Sequence, residues 1–185
     1  MSDTAAGRPE SDSIIAETTR WVERAVIGLN LCPFAKAAHV KGQIRYAVCA
    51  ASAPEGLLAE LIRELHILVD ADPDVIDTTL LIHPFAFADF LEYNDFLDVA
   101  DAAIAELKLD GVIQIASFHP HYQFADTEPD DISNCTNRSP HPTLHLLREA
   151  SVTRAVATFP DVGNIFAQNI KTMNALGRAG WDKLR

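Results

Sequence analysis

NRSPHPTLHLLREAS, residues 137–151, follows the last of three β-rich runs, and its reading sets the architecture. Ser139 is a capping residue type, and Pro140 and Pro142 stand where a first helical turn tolerates a missing N–H. His145 and Glu149 are four residues apart, the spacing that puts two side chains on one helix face. The stretch is therefore expected to be a helix. Before it, VIQIASFHP (112–120) reads as a strand, Gly111 as a helix stop and residues 89–109 as a helix. Further back, DTTLLIHP (77–84) is a strand, residues 55–72 a helix ended by Pro73, and QIRYAVCA (43–50) another strand. The first helix carries Ile14, Ile15, Thr18, Trp21, Val22, Ala25, Val26 and Leu29 at three- and four-residue steps and stops near Cys32, ahead of Pro33. After residue 151 a second C-terminal helix is expected beyond a break near Phe159-Pro160.

The resulting order is α-β-α-β-α-β-α-α. Strands separated by helices imply right-handed crossovers, hence a small, mainly parallel sheet in an α/β fold. The strands hold too few polar residues for an exposed face, so helices are expected on both sides. Residues 1–10 read as a disordered lead-in and 11–185 as a single domain.

Composition narrows the function classes. Of 185 residues, 48% are hydrophobic and 22% charged, enough for a substantial core. A net charge of −11 disfavours nucleic acid as a partner. No apolar run approaches the roughly 18 residues of a membrane span, so no membrane partner and a cytoplasmic location are expected. Three cysteines, an odd and sparse set, suit reduced thiols. Composition is silent on oligomeric state.

Chemistry is concentrated where elements end. Cys32-Pro33-Phe34-Ala35, His83-Pro84-Phe85-Ala86 and His119-Pro120 each place a nucleophilic or metal-ligating side chain directly before proline. In a parallel sheet the carboxyl ends of strands share one edge, where ligands usually bind. His83 and His119 are therefore expected to face one crevice, each held extended by its proline. With Cys32 they would form a Cys/His/His set, either ligands for zinc or iron or a thiolate with an imidazole base. A strand terminator with its imidazole bonded to a nearby carbonyl is the plainer reading of each His-Pro.

Residues 134–151 form the second cluster. A helix starting at Ser139 would offer free N–H groups, with Asn137 and Arg138 beside them and Arg148 reaching back, as a cradle for an anionic small molecule. Glu149 and His145 would complete the polar face, with His145 a further catalytic candidate. The alternative is a capped helix with ordinary surface ion pairs. Asp126 to Asp131 reads as a solvated acidic loop. No CxxC pair, HExxH, glycine-rich phosphate loop or G-x-S-x-G elbow is present, so spacing names no reaction.

GLNLCPFAK (28–36), LLIHPF (80–85), NDFLD (94–98), IASFHPHYQFAD (115–126) and NRSPHPTLHLLREAS (137–151) resemble a bacterial domain-of-unknown-function family, number 1415. The resemblance runs from about Ile14 to Trp181 and implies no established activity. The functional expectation therefore comes from the residues. It is a small enzyme acting on an anionic small molecule through Cys32, His83, His119 and His145, by metal-assisted or cysteine chemistry, with Asn137, Arg138, Arg148 and Glu149 binding substrate. The alternative is a non-catalytic metabolite- or metal-binding protein.

Overall fold

The computed structural model describes residues 10–158 and 162–184. The expected lead-in, apart from Glu10, and the expected break at Phe159-Pro160 lie outside the described residues.

Helix α1 (Ser11–Trp21) buries Ile14, Thr18 and Trp21 on one face. It passes directly into a π-helical turn, Val22–Ile27, closed by Gly28 N–H donating to Glu23 O at 3.0 Å. A Cβ on Gly28 would stand 2.3 Å from the Arg24 carbonyl oxygen, so the wide turn needs glycine at its exit. A short helix α2 (Ala35–Val40) leads to strand β1 (Ile44–Val48). Helix α3 (Pro54–Asp70) opens with proline in its first turn, where the missing N–H costs nothing. Strand β2 (Thr78–Ile82) is buried along its whole length. Helix α4 (Phe90–Glu106) is capped by Asp89, whose carboxylate accepts from the N–H groups of Leu91 (2.8 Å) and Glu92 (3.1 Å). Strand β3 (Ile113–Phe118) follows, then a 3-10 segment, Ile132–Asn137.

The chain then departs from expectation. Thr143–Arg148 is a strand, β4, and the helix starts only at Glu149, as α5 (Glu149–Thr158). A 3-10 turn, Val162–Asn164, leads into α6 (Ile165–Asp182), which breaks at Gly177 (φ 66°, ψ 175°).

The sheet has four strands in the order β1-β2-β4-β3. β1 pairs parallel with β2, while β4 lies between β2 and β3 and is antiparallel to both. The sheet is thus mixed, which corrects the mainly parallel expectation. Pro140 and Pro142 do not open a helix. Pro142 ends the approach to the strand, and its carbonyl accepts from His83 N–H at 2.9 Å. The cause of the reversal is tertiary: without β4 the inner edges of β2 and β3 would be buried with their backbone groups unpaired. In that slot Leu144 and Leu146 face one side of the sheet and His145 and Leu147 the other.

Helices lie on both faces. On one, α3 supplies the fully buried Leu57, Leu61, Leu65 and Leu68, and α4 supplies Tyr93, Phe96, Ala100 and Ile104, against Leu81, Ile113, Leu144 and Leu146. Each fully buried leucine is worth about 1.5 to 3 kcal/mol of transfer free energy. On the other face, Trp21, Val22 and Ala25 meet Met173 and Trp181 of α6, Leu80 of β2 and Cys135. Among the described residues no helix is long and apolar enough to cross a membrane.

Candidate functional site

His83 and His119 do reach the same edge of the sheet, because β2 and β3 are each antiparallel to β4 and so run the same way. There they clasp Tyr93 of α4. The ring centroids are 5.4 Å (His83–Tyr93) and 5.2 Å (Tyr93–His119), both stacked, and all three residues are fully buried. Tyr93 donates its hydroxyl hydrogen to the Thr143 carbonyl at 2.9 Å, tying the sandwich to the start of β4. Burial pushes this phenol's pKa far up.

The tautomers follow from the partners. His119 Nε2 donates to Phe87 O (3.0 Å), and its Nδ1 accepts from His121 N–H (3.0 Å), so the ring is neutral and both nitrogens are satisfied. His83 Nδ1 donates to Ala86 O at 3.3 Å, which leaves Nε2 a buried acceptor with no partner among the described residues. Burial holds the pKa of His83 down to about 3 and also lowers that of His119. Two neutral histidines stacked on a buried tyrosine form a packed corner of the core.

Cys32 is elsewhere. It lies in the turn before α2, half-buried, and lines a cavity of about 700 Å³ between α2, α5 and the sheet. The cavity floor is Thr78, Leu80, Ala116, Phe118 and His145. These are the alternate positions that point away from the face holding Leu81, Leu144, Tyr93 and the two His-Pro histidines. The sheet thus stands between Cys32 and the pair His83 and His119. Among the described residues no three His, Cys, Asp or Glu side chains are grouped so as to hold a metal ion. The expected Cys32/His83/His119 ligand set is not assembled.

His145 joins Cys32 instead. Its Nε2 is 2.7 Å from Thr78 Oγ1, whose own hydrogen is donated to Leu146 O at 2.7 Å. Oγ1 must therefore accept, so His145 is the Nε2–H tautomer and Nδ1 is left as an acceptor without a protein donor among the described residues. Burial lowers the pKa of His145 to about 4, so the ring is neutral at physiological pH. Lys41 and Arg154 stand exposed on the cavity rim beside Asp77 and Ser151. Arg154 donates to Ser151 Oγ at 2.9 Å.

The anion cradle expected at residues 137–149 is dispersed by the strand. Arg138 braces a loop, donating to Tyr122 O (3.1 Å) and Pro129 O (2.8 Å). Asn137 donates to Ser117 O at 3.3 Å, and its carbonyl accepts from His119 N–H at 3.2 Å. Ser139 caps no helix; its hydroxyl donates to His141 O at 2.6 Å. Arg148 borders the cavity, but its guanidinium donates to the carbonyls of Leu68, Ala71 and Ile76, closing the C-terminal end of α3. Glu149 begins α5, with its N–H on Val112 O at 2.9 Å, and does not share a helix face with His145. Of the expected site residues, the fold brings together Cys32, His145 and Arg148. Sequence reasoning missed Thr78 and Lys41, which carry no signal until the sheet order is known.

Fold and cavity define an α/β protein with a four-stranded mixed sheet and a cavity on the face opposite its leucine-rich core. The family model "Protein of unknown function (DUF1415)" matches residues 13–183, and the chain belongs to this family. No curated protein and no solved structure matches it.

Proposed function

We propose that the protein is a cytoplasmic small-molecule-binding protein whose ligand occupies the cavity between α2 and α5. The observation that carries this is a cavity of about 700 Å³, the size of a metabolite site, with mostly apolar walls and one bare imidazole acceptor on its floor. An apolar ligand body lies against Val22, Val26, Leu80 and Phe118. A hydroxyl or amide of the ligand donates to His145 Nδ1, and an anionic end reaches the rim cations Lys41 and Arg154. Three free thiols suit a reducing compartment.

A second reading, cysteine chemistry on the bound molecule, is favoured by one observation: Cys32 and His145 share this cavity, with the thiol half-buried rather than sealed in the core. In that case the Cys32 S–H proton passes to Nδ1 of the neutral His145 as the sulfur adds to a ligand carbonyl carbon, the carbonyl π electrons move to its oxygen, and that oxygen takes the proton back from His145 to give a hemithioacetal-type adduct.

The test is a thermal-shift screen of small carboxylates and phosphates with apolar bodies, followed by alkylation of Cys32 with iodoacetamide. A true ligand raises Tm and slows Cys32 alkylation, and Ala116→Phe, which fills the floor, abolishes both effects. Ligands that raise Tm equally in Ala116→Phe and leave Cys32 alkylation unchanged would remove the cavity from the function. Cys32→Ser separates the readings: a ligand that the wild type converts and that Cys32→Ser binds, with the same rise in Tm, but does not convert supports catalysis, whereas a ligand that the wild type leaves chemically unchanged and that raises Tm equally in Cys32→Ser supports binding alone.

A further inference from the structure

A second cleft, of about 370 Å³, opens at the edge of the sheet where β3 ends, between α1, the end of α6 and residues 138–140. Its apolar walls are Trp21, Ala25, Pro120, Pro140, Trp181 and Leu184, and its charged groups are Glu17, Arg20 and Arg138. The single carboxylate is already engaged, with Glu17 Oε2 at 2.9 Å from His141 Nε2. Arg20 has no carboxylate partner among the described residues. Among the described residues Arg138 donates to the neutral carbonyls of Tyr122 and Pro129 and has no carboxylate partner. In a chain of net charge −11, two guanidinium groups against the one carboxylate of Glu17 give this aromatic-walled cleft a locally positive lining.

We infer that this cleft is a binding site for a small organic carboxylate with a flat apolar body, held by Arg20 and Arg138 with its body against Trp181 and Trp21. Guanidinium groups match a carboxylate's two oxygens, and the indole edges and prolines match a planar hydrocarbon. A phosphate lacks that body and would leave the aromatic wall wet. The inference does not depend on the larger cavity, although Trp21 borders both spaces and is the wall they share.

The chain's two tryptophans both line this cleft, and Trp181 lines it alone, so intrinsic fluorescence reports occupancy. In Trp21→Phe, with Trp181 the sole reporter, benzoate is expected to give a saturable change in emission. Benzamide, a neutral isostere, should bind roughly tenfold more weakly, and inorganic phosphate more weakly than benzoate. Arg20→Gln should weaken benzoate roughly tenfold with Tm unchanged, because this exposed side chain has no hydrogen-bond or ion-pair partner among the described residues. Arg138→Gln should weaken it too, at some cost in Tm from the lost loop contacts. His145→Phe, in the other cavity, should leave the titration as it was, so this result and the fate of the larger site are read separately. The inference is overturned if benzamide matches benzoate, if Arg20→Gln binds as wild type does, or if millimolar benzoate gives no saturable change.

Discussion

Acidification should destabilise the protein well above the pH at which most carboxylates protonate, through histidines that fold as neutral rings. His83 has a folded pKa of about 3 and His145 of about 4, both driven down by burial from an ordinary value near 6.5. A depressed histidine pKa means that the unfolded chain binds more protons than the folded one between the two values. Stability is therefore complete above about pH 6.5 and declines as pH falls toward the folded pKa. Each such histidine contributes a slope of about 1.4 kcal/mol per pH unit, so from pH 6.5 to pH 5 each removes about 2 kcal/mol and the pair about 4. His119 shifts in the same direction and adds to the loss. Against a typical total of about 5 to 15 kcal/mol this is a large fraction. Urea unfolding followed by circular dichroism at half-unit steps from pH 7.5 to 5 measures it directly. His83→Leu, which cannot titrate, should flatten the slope by about one histidine's share even if it lowers stability at pH 7.5. An unfolding free energy independent of pH across that range, or an undiminished slope in His83→Leu, would refute the assignment of buried neutral rings.

Two further outcomes follow from the hydrogen-bond geometry. Arg148→Met should lower stability by about 2 to 4 kcal/mol, since the Leu68, Ala71 and Ile76 carbonyls lose their donors, and hydrogen exchange at the C-terminal turn of α3 should speed up. Tyr93→Phe keeps the stacking with His83 and His119 but loses the hydroxyl's bond to the Thr143 carbonyl, a loss of about 0.5 to 1.5 kcal/mol measurable by thermal denaturation.

The parts of the fold that were legible in the sequence are those in which one periodicity dominates. The α3 leucines and the five-residue run of β2 have no competing reading, and the His-Pro steps correctly mark where β2 and β3 end. TLHLLR, residues 143–148, carries both patterns: Leu144 and Leu147 are three apart as in a helix, while Leu144 and Leu146 alternate as in a strand. Two prolines and a serine upstream tipped the local balance toward a helix start. The decision belonged to the unpaired edges of β2 and β3, which no local window contains. Cys32 and His145 were recognisable singly as chemistry-bearing residues. Their meeting in one cavity, and the separation of Cys32 from His83 and His119 by the sheet, depended on which face β4 turns each side chain toward. The cradle expected around Arg138 and Arg148 is dispersed for a related reason: with a strand in place of the helix, the two guanidinium groups reach separate carbonyls, Arg138 those of a loop and Arg148 those at the end of α3.

The placement of β4 between two earlier strands has a consequence for how the chain reaches this state. Thr78 of β2 finds its partner His145 across 67 positions of chain, so closing the sheet requires a contact of high contact order, formed at a large loop-closure cost. During synthesis, β2 and β3 leave the ribosome before their common neighbour exists, and each presents an inner edge with open hydrogen-bonding groups. A nascent chain stalled before Thr143 therefore has two sticky edges and a gap the width of one strand between them. Folding of this protein is in that sense completed from its C-terminal third, and the period before β4 inserts is the one in which the chain is most exposed to intermolecular strand pairing and most in need of chaperone cover.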